Sequence, residues 1–95
     1  MGNKKEVMIL ATNIALVKKQ VEEYASAIAD FKQNLQTIQQ EQKTIYTSLE
    51  IKNNLGLADT YLRIQQPDSA LIYTSNGLAK ATFETFPAAF RWRKT

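Results

Sequence analysis

Residues 57–78, L-A-D-T-Y-L-R-I-Q-Q-P-D-S-A-L-I-Y-T-S-N-G-L, decide the fold of this chain. The two halves of this stretch place apolar residues at helical spacing, and a corner at residues 65–68 separates them. Pro67 cannot occupy a helix interior, but it suits the first turn of a new helix. The small residues Ala58 and Ala70 allow two helix backbones to approach closely. The stretch therefore predicts two antiparallel helices joined by a tight corner.

The same stretch resembles a tetratricopeptide repeat. In that family a leucine and a small residue precede a tyrosine, which lies three positions after the small residue, and an alanine follows nine positions later. This chain matches the pattern with Leu57, Ala58, Tyr61 and Ala70. It departs from the pattern at Thr74, where an aromatic is usual, and at Pro67, where a corner tyrosine is usual. The resemblance implies stacked helical hairpins and a role in binding other proteins.

A weaker copy of the pattern lies 43 residues earlier in the chain. This shift aligns Ile14-Ala15 with Leu57-Ala58, Val21 with Ile64, Ala27-Ile28 with Ala70-Leu71, and Leu35 with Leu78. Lys18 stands where the family has its packing tyrosine, and the corner at Glu22-Glu23 contains neither Gly nor Pro. The alternative for this half is therefore a single uninterrupted helix. Because 43 residues exceed the usual 34, we expect a longer second helix and a turn near residues 43–48, with Thr47 or Ser48 capping the third helix.

The sequence thus predicts one small all-α domain, built of antiparallel helical hairpins stacked as a short tetratricopeptide-like α-solenoid. The first repeat covers about residues 8–41, the second about 51–84, and residues 85–95 form a C-terminal cap or a truncated helix. Four helices are expected, at about residues 5–20, 23–40, 45–64 and 68–85. A plain helical bundle is the alternative fold, but it requires sustained heptads, and the small residues at the repeated positions argue against it.

Composition excludes most catalytic chemistry. The chain has no Cys and no His, which removes disulfides, thiolate zinc sites and the usual general base. It contains no glycine-rich phosphate loop and no calcium-loop spacing. We therefore expect a protein that is not an enzyme and that carries no cofactor and no metal. The net charge of +3 comes from scattered basic residues, so no nucleic-acid surface is expected.

The N-terminus combines Lys4-Lys5 with an apolar run at residues 7–11, and apolar residues continue to Val17. A signal peptide has a similar beginning. However, Asn13 interrupts the run, no cleavage site follows, and the run is too short to span a bilayer. We interpret it as the buried start of a helix in a cytoplasmic protein that does not contact membranes, with a retained signal anchor as the alternative.

The first functional hypothesis is an interaction module. The resemblance implies that an extended peptide or a partner helix binds in the groove lined by the first helix of each repeat. Polar groove candidates, able to hold a carboxylate or backbone by charge-assisted hydrogen bonds, are Asn13, Lys19, Lys52 and Arg63. Their predicted neighbours are Thr12, Leu16, Gln20, Leu55, Gly56 and Asp59. Plain solvent exposure is the alternative for all of them.

The second hypothesis is self-association. An aromatic set near the C-terminus has no obvious internal partner for all its surface, namely Phe83, Phe86, Phe90 and Trp92. We predict that these residues join two copies as a homodimer, the alternative being a cap folded onto the last hairpin.

The extended repeat also resembles those of bacterial multi-repeat regulators. A fragment of such a regulator, acting as its sensor or dimerisation part, and a helical bundle with a structural role therefore remain alternatives.

Overall fold

The computed structural model describes residues 3–41 and 43–85, and in residues 82–85 it describes the backbone only. The described chain forms four α-helices: α1 (Lys4–Gln20), α2 (Tyr24–Glu41), α3 (Thr47–Arg63) and α4 (Pro67–Thr85). A single 3₁₀ turn (Thr44–Tyr46) precedes α3, and the described residues contain no strand. The all-α prediction is confirmed, and each of the four predicted helices is present, with ends shifted by at most two residues.

The corner between α1 and α2 is a Schellman motif built without glycine. Glu22 has a φ of +67°, in the left-handed region. The amide of Glu22 donates to the carbonyl of Lys19 at 3.1 Å, and the amide of Glu23 donates to that of Lys18 at 2.8 Å. These two hydrogen bonds close the end of α1, as in other Schellman motifs. The alternative of one continuous helix through this region is therefore wrong.

The corner between α3 and α4 repeats this geometry 43 residues later. Gln65 has a φ of +62°. Its amide donates to the carbonyl of Leu62 at 3.0 Å, and the amide of Gln66 donates to that of Tyr61 at 2.8 Å. Pro67 is the first residue of α4, as predicted. The two hairpins thus turn by the same backbone mechanism at equivalent positions.

Two helix starts differ in how they are capped. At α1, Asn3 is the N-cap, and its side-chain oxygen accepts from the amide of Lys5 at 2.8 Å. At α3, the 3₁₀ turn runs directly into the helix, Tyr46 occupies the cap position, and its side chain makes no capping hydrogen bond. The prediction that Thr47 or Ser48 caps α3 is wrong, because both lie inside the helix and a cap residue needs non-helical backbone.

Helix α3 lies at the centre, in contact with α1, α2 and α4. The main core contains residues from all four helices: Ala15, Ala27, Phe31, Leu35, Leu57, Tyr61 and Ala70. A smaller cluster joins the 3₁₀ turn to the helices around it and consists of Met8, Ile38, Tyr46 and Leu49. The small residues in the repeat register, Ala15, Ala27, Ala58 and Ala70, are all buried. They permit the close helix approach that the sequence predicted, with Ala70 in the same cluster as Leu57 and Tyr61.

The contact between α2 and α3 depends on Gly56. The ring of Phe31, which is fully buried, lies so close to Gly56 that an added Cβ would meet two of its carbons at 2.5 Å. Real Cβ atoms do not approach other heavy atoms this closely, so only glycine fits here unless the ring moves. Gly56 therefore packs against α2 and is not a groove residue, in contrast to the expectation from the repeat pattern.

The N-terminal run is not the buried helix start that the sequence suggested. Of its large residues only Met8 is buried, whereas Val7, Ile9 and Leu10 are exposed. The reason is geometric: the described part of the chain packs α2 and α3 against one side of α1 and leaves its other side open. Within the described residues, no helix is both long enough and apolar enough to cross a bilayer.

Candidate functional site

One face of α1 exposes a continuous row of aliphatic side chains. We call it the α1 stripe, and it consists of Val7, Leu10, Ile14 and Val17 on α1 and of Val21, the C-cap residue that follows the helix. The spacing alternates three and four residues, which keeps all of these side chains on one side of the helix. Each is between 46% and 61% exposed. At about 1.5 Å of rise per residue the row is about 21 Å long. Apolar surface this continuous is characteristic of interaction sites.

The internal repeat explains why this face is open. Shifting the stripe by 43 residues places Leu10 on Asn53, Ile14 on Leu57 and Val17 on Thr60. These three α3 residues are almost completely buried. Leu57 shares a cluster with three buried α2 side chains, and the Asn53 side chain accepts a hydrogen bond from Asn34 of α2. Helix α2 therefore packs on this face of α3, whereas no helix among the described residues packs on the same face of α1. The α1 stripe thus corresponds to a face that a helix covers elsewhere in the chain.

A second apolar face lies on α4. Leu71 and Leu78, seven residues apart and so on one side of the helix, are 66% and 59% exposed. At the equivalent positions of α2, Ile28 is partly buried against the core and Leu35 is buried within it. The cause is the same as at α1, since no described helix follows α4 as α3 follows α2. The exposed faces of α1 and α4 therefore correspond, by the 43-residue shift, to faces of α3 and α2 that are buried within the chain.

Two of the predicted groove residues meet at a single carboxylate. Asp59 on α3 lies 2.8 Å from Lys19 Nζ and 3.1 Å from Arg63 Nε. The hydrogen bond from Lys19 lowers the pKa of Asp59 the most, burial partly opposes the lowering, and Arg63 adds to it. The cations predicted to bind a peptide carboxylate thus already hold a carboxylate of this chain. The other two candidates, Asn13 and Lys52, lie exposed on α1 and α3.

Thr12, a predicted neighbour of the groove, lies instead in a buried polar network. Its hydroxyl donates to the Met8 carbonyl at 2.8 Å and accepts from Asn53 Nδ2 at 2.9 Å. Asn53 in turn accepts at Oδ1 from Asn34 at 3.0 Å. One side chain from each of α1, α2 and α3 is joined in this way, and all buried side-chain polar atoms of the described residues have a partner. The network sets the relative register of the three helices and is not a binding surface.

The predicted self-association residues cannot be placed. Phe86, Phe90 and Trp92 lie outside the described residues, and Phe83 lies in the part of α4 for which the side chains are not described. Their role in joining two copies stays a prediction.

A cleft lies where the 3₁₀ turn meets α3 and α4. Its volume is about 540 Å³, and its lining residues are Gln39, Thr44, Thr47, Glu50, Asn54, Asn76, Ala79 and Lys80. Lys80 Nζ lies 3.6 Å from Glu50 Oε1 across it. Small-molecule sites are lined mostly by hydrophobic and aromatic side chains, whereas the described residues that line this cleft include no aromatic residue, and their only apolar residue is Ala79. The described residues also contain no group of three or more acidic side chains placed to hold a metal.

Comparison of the chain with protein-family models, with curated proteins and with solved structures finds no match. The resemblance to tetratricopeptide repeats therefore stays a prediction from the residues, and the candidate site rests on the geometry of this chain alone.

Sequence reasoning missed the α1 stripe although its signal was present. The alternating spacing of Val7, Leu10, Ile14, Val17 and Val21 can be read directly from the sequence. The contiguous run at residues 7–11 obscured it, because that run was interpreted as one buried block. By contrast, no sequence signal marks Asn53 as buried, since asparagine on a helix is usually solvent-exposed.

Proposed function

We propose that this protein is a helical-repeat interaction module that binds another polypeptide helix along the α1 stripe. The observation that carries the proposal is the exposed aliphatic row on α1, whose equivalent on α3 is covered by a helix. Amphipathic helices bind to apolar helical surfaces through anchors at three- and four-residue spacing, and the α1 stripe offers the matching spacing.

The stacking of the hairpins as a short tetratricopeptide-like α-solenoid is part of this proposal. It is supported by the two Schellman corners, which are 43 residues apart, and by the buried alanines at equivalent positions. The order of contacts also fits, since α1 contacts α2, α2 contacts α3, α3 contacts α4, and α1 contacts α3. In such arrays each hairpin contacts only its neighbours, so a terminal hairpin retains an uncovered face.

Selection of displayed peptides tests the binding surface. A library of helix-forming peptides is selected on the immobilised chain, and the enriched peptides are then measured against a Leu10→Lys/Ile14→Lys variant. We expect enrichment of amphipathic peptides with aliphatic anchors at three- and four-residue spacing, and at least tenfold weaker binding to the variant. The matched control is Leu62→Lys, because Leu62 is equally exposed on α3, outside the stripe.

Equal binding of the enriched peptides to the stripe variant and to the parent would contradict the proposed surface. Peptides that bind through a C-terminal carboxylate and lose affinity in a Lys52→Ala variant would support the groove of the sequence prediction instead. That groove is the second candidate, and its two cations at Asp59 make it the weaker one.

A further inference from the structure

We propose that copies of this chain associate head to tail, with α4 of one copy packing on the α1 stripe of the next. In this arrangement α4 and α1 repeat between copies the junction that α2 and α3 form within one copy. The inference rests on the proposed function and names the partner of the α1 stripe, a second copy of the chain.

The first argument is that one interface accounts for both exposed faces. The α1 stripe is the counterpart, by the 43-residue shift, of the α3 face that α2 covers. Leu71 and Leu78 on α4 are the counterparts of Ile28 and Leu35, the α2 side chains that pack towards α3. A head-to-tail contact buries these two faces against each other. A symmetric contact between two α1 stripes would leave the α4 face uncovered.

The second argument comes from the tightest pair in the internal junction. Within the chain, the large ring of Phe31 packs on Gly56, where no side chain fits. The residue equivalent to Phe31 is Thr74 on α4, and the residue equivalent to Gly56 is Asn13 on α1. Within the chain a phenylalanine ring packs against a glycine, which has no side chain. Between copies two side chains of medium size would meet, so the total side-chain volume is compatible with the same helix spacing. The threonine hydroxyl and the asparagine amide can also satisfy each other by a hydrogen bond.

The hydrogen-bonded asparagine pair of the internal junction is replaced between copies by a pair without polar side chains. Asn34 donates to Asn53 at 3.0 Å within the chain. The equivalent residues between copies are Gly77 and Leu10. Both polar partners are replaced together, so the contact buries no amide that has lost its hydrogen bond. The exposed side chain of Leu10 gains cover from α4.

A third contact of the internal junction, between Lys32 and Tyr61, also has an equivalent between copies that brings no like charges together. Lys32 lies 5.7 Å from the ring centroid of Tyr61 within the chain. The equivalent residues between copies are Ser75 and Lys18, and Lys18 keeps its own partner Asp30 at 2.7 Å. A hydroxyl accepts readily from an ammonium group. Because none of the three pairs opposes like charges, the register that repeats the internal junction is electrostatically permitted.

The size and symmetry of the contact predict how the copies assemble. A single row about 21 Å long makes a small contact, of the kind seen in weak and transient complexes, so association is measured across the micromolar range. A head-to-tail contact uses two different faces of the molecule. It therefore continues beyond a dimer unless the rotation between copies happens to close a ring.

Sedimentation velocity with single-face variants tests the inference. Val17→Lys blocks the α1 stripe, and Leu78→Lys blocks the α4 face. Both residues are more than half exposed, so the isolated chain should tolerate the charge. We expect the parent to gain mass beyond a dimer across the micromolar range and each variant alone to be monomeric. An equimolar mixture of the two variants should form a dimer, because each retains the face that the other lacks.

Three outcomes would overturn the inference. If Leu78→Lys alone still forms a dimer and Val17→Lys does not, the contact is a symmetric α1–α1 pairing. If Val17→Lys associates as the parent does, the contact lies elsewhere, including the predicted C-terminal aromatic residues. If the parent is monomeric throughout, copies do not associate, and the peptide selection then decides the proposed function independently.

Two checks keep the result interpretable. Circular dichroism must show parent-like helix content for each variant, and Val21→Lys with Leu71→Lys provides a second pair of single-face variants if either of the first pair fails to fold. Ile72→Lys should associate as the parent does, since Ile72 is more than half exposed and its counterpart on α2, Ala29, is also exposed.

Discussion

At the scale of single residues, the fold depends on positions where the side chain must be small. Ala15 and Ala27 are completely buried, as is the Phe31 ring that packs on Gly56. The alanines were predictable because they recur in the repeat register. The role of Gly56 was not, because a glycine inside a helix does not reveal which partner side chain approaches it.

Gly56→Ala should destabilise the protein. In an exposed helix this substitution stabilises by up to about 1 kcal/mol, since alanine has the higher helix propensity. Here the new Cβ would meet the Phe31 ring at 2.5 Å, and overpacking of this kind costs about 1–3 kcal/mol. We therefore expect a net loss of up to about 2 kcal/mol, the overpacking cost less the propensity gain, in urea denaturation monitored by circular dichroism.

Gly77→Ala is the matched control, because its nearest contact is the flexible end of Leu55 at 3.2 Å. It should be close to neutral or mildly stabilising. A second check is the double variant Gly56→Ala/Phe31→Leu, in which the clash is relieved and part of the stability returns. If Gly56→Ala were as stabilising as an alanine in an exposed helix, the ring would not pack on Gly56.

At the scale of secondary-structure elements, helix existence and helix boundaries were largely readable from the sequence. Scarce helix breakers and the 43-residue register were enough to predict four helices. The first corner was the difficult one, since Glu22 takes a left-handed conformation without the glycine that usually marks it. Local propensity does not predict this conformation. The packing of α1 on α2 requires it.

Replacing the left-handed corner residues by glycine should stabilise the protein. A non-glycine residue in this conformation costs about 1–2 kcal/mol. Glycine avoids that strain but loses about 0.5–1 kcal/mol through greater freedom in the unfolded chain. We expect Glu22→Gly and Gln65→Gly each to raise the free energy of unfolding by about 0.5–1 kcal/mol, because the strain that is removed exceeds the entropy that is lost. Thermal or urea unfolding measures this change.

Gln20→Gly is the control for the corner variants, because Gln20 has helical backbone in the last turn of α1. There glycine should cost about 1 kcal/mol. A loss of stability in both corner variants that equals the loss in the control would mean that the corners are not left-handed.

At the scale of the whole molecule, polar contacts between the hairpins specify how they stack. The Thr12–Asn53–Asn34 network and the Lys19–Asp59 ion pair both connect α1 to α3. Neither was predicted, because each joins residues about 40 positions apart with no pattern between them. The i,i+4 pair of Asp59 with Arg63, by contrast, has the spacing that joins side chains on one helix face, and its two charged groups lie 3.1 Å apart.

The Asp59 ion pairs predict a small acid-dependent contribution to stability. The pKa of Asp59 is lowered in the folded state, so its contribution is complete above the unfolded value of about 4 and is lost as the pH falls through the folded value. Asp59→Asn should cost about 0.2–1 kcal/mol at neutral pH, because the carboxylate is partly exposed and screened.

Urea denaturation of Asp59→Asn and the parent, from neutral pH down to about pH 2, measures this effect. The two stabilities should converge in acid, and added salt should reduce their difference at neutral pH. A difference that is the same at all pH values would show that the asparagine acts by altered packing and not by loss of charge.

The sequence by itself determined the helical class, the corner at Pro67 and the small positions in the core. These properties depend on local spacing and backbone preference, which are written along the chain. Only the tertiary structure decided which faces are covered. Thr12 was expected at the surface and is buried, whereas Leu10 was expected to be buried and is exposed. Whether a side chain is buried depends on the helix that packs against it, and no described helix of this chain packs on the outer face of α1.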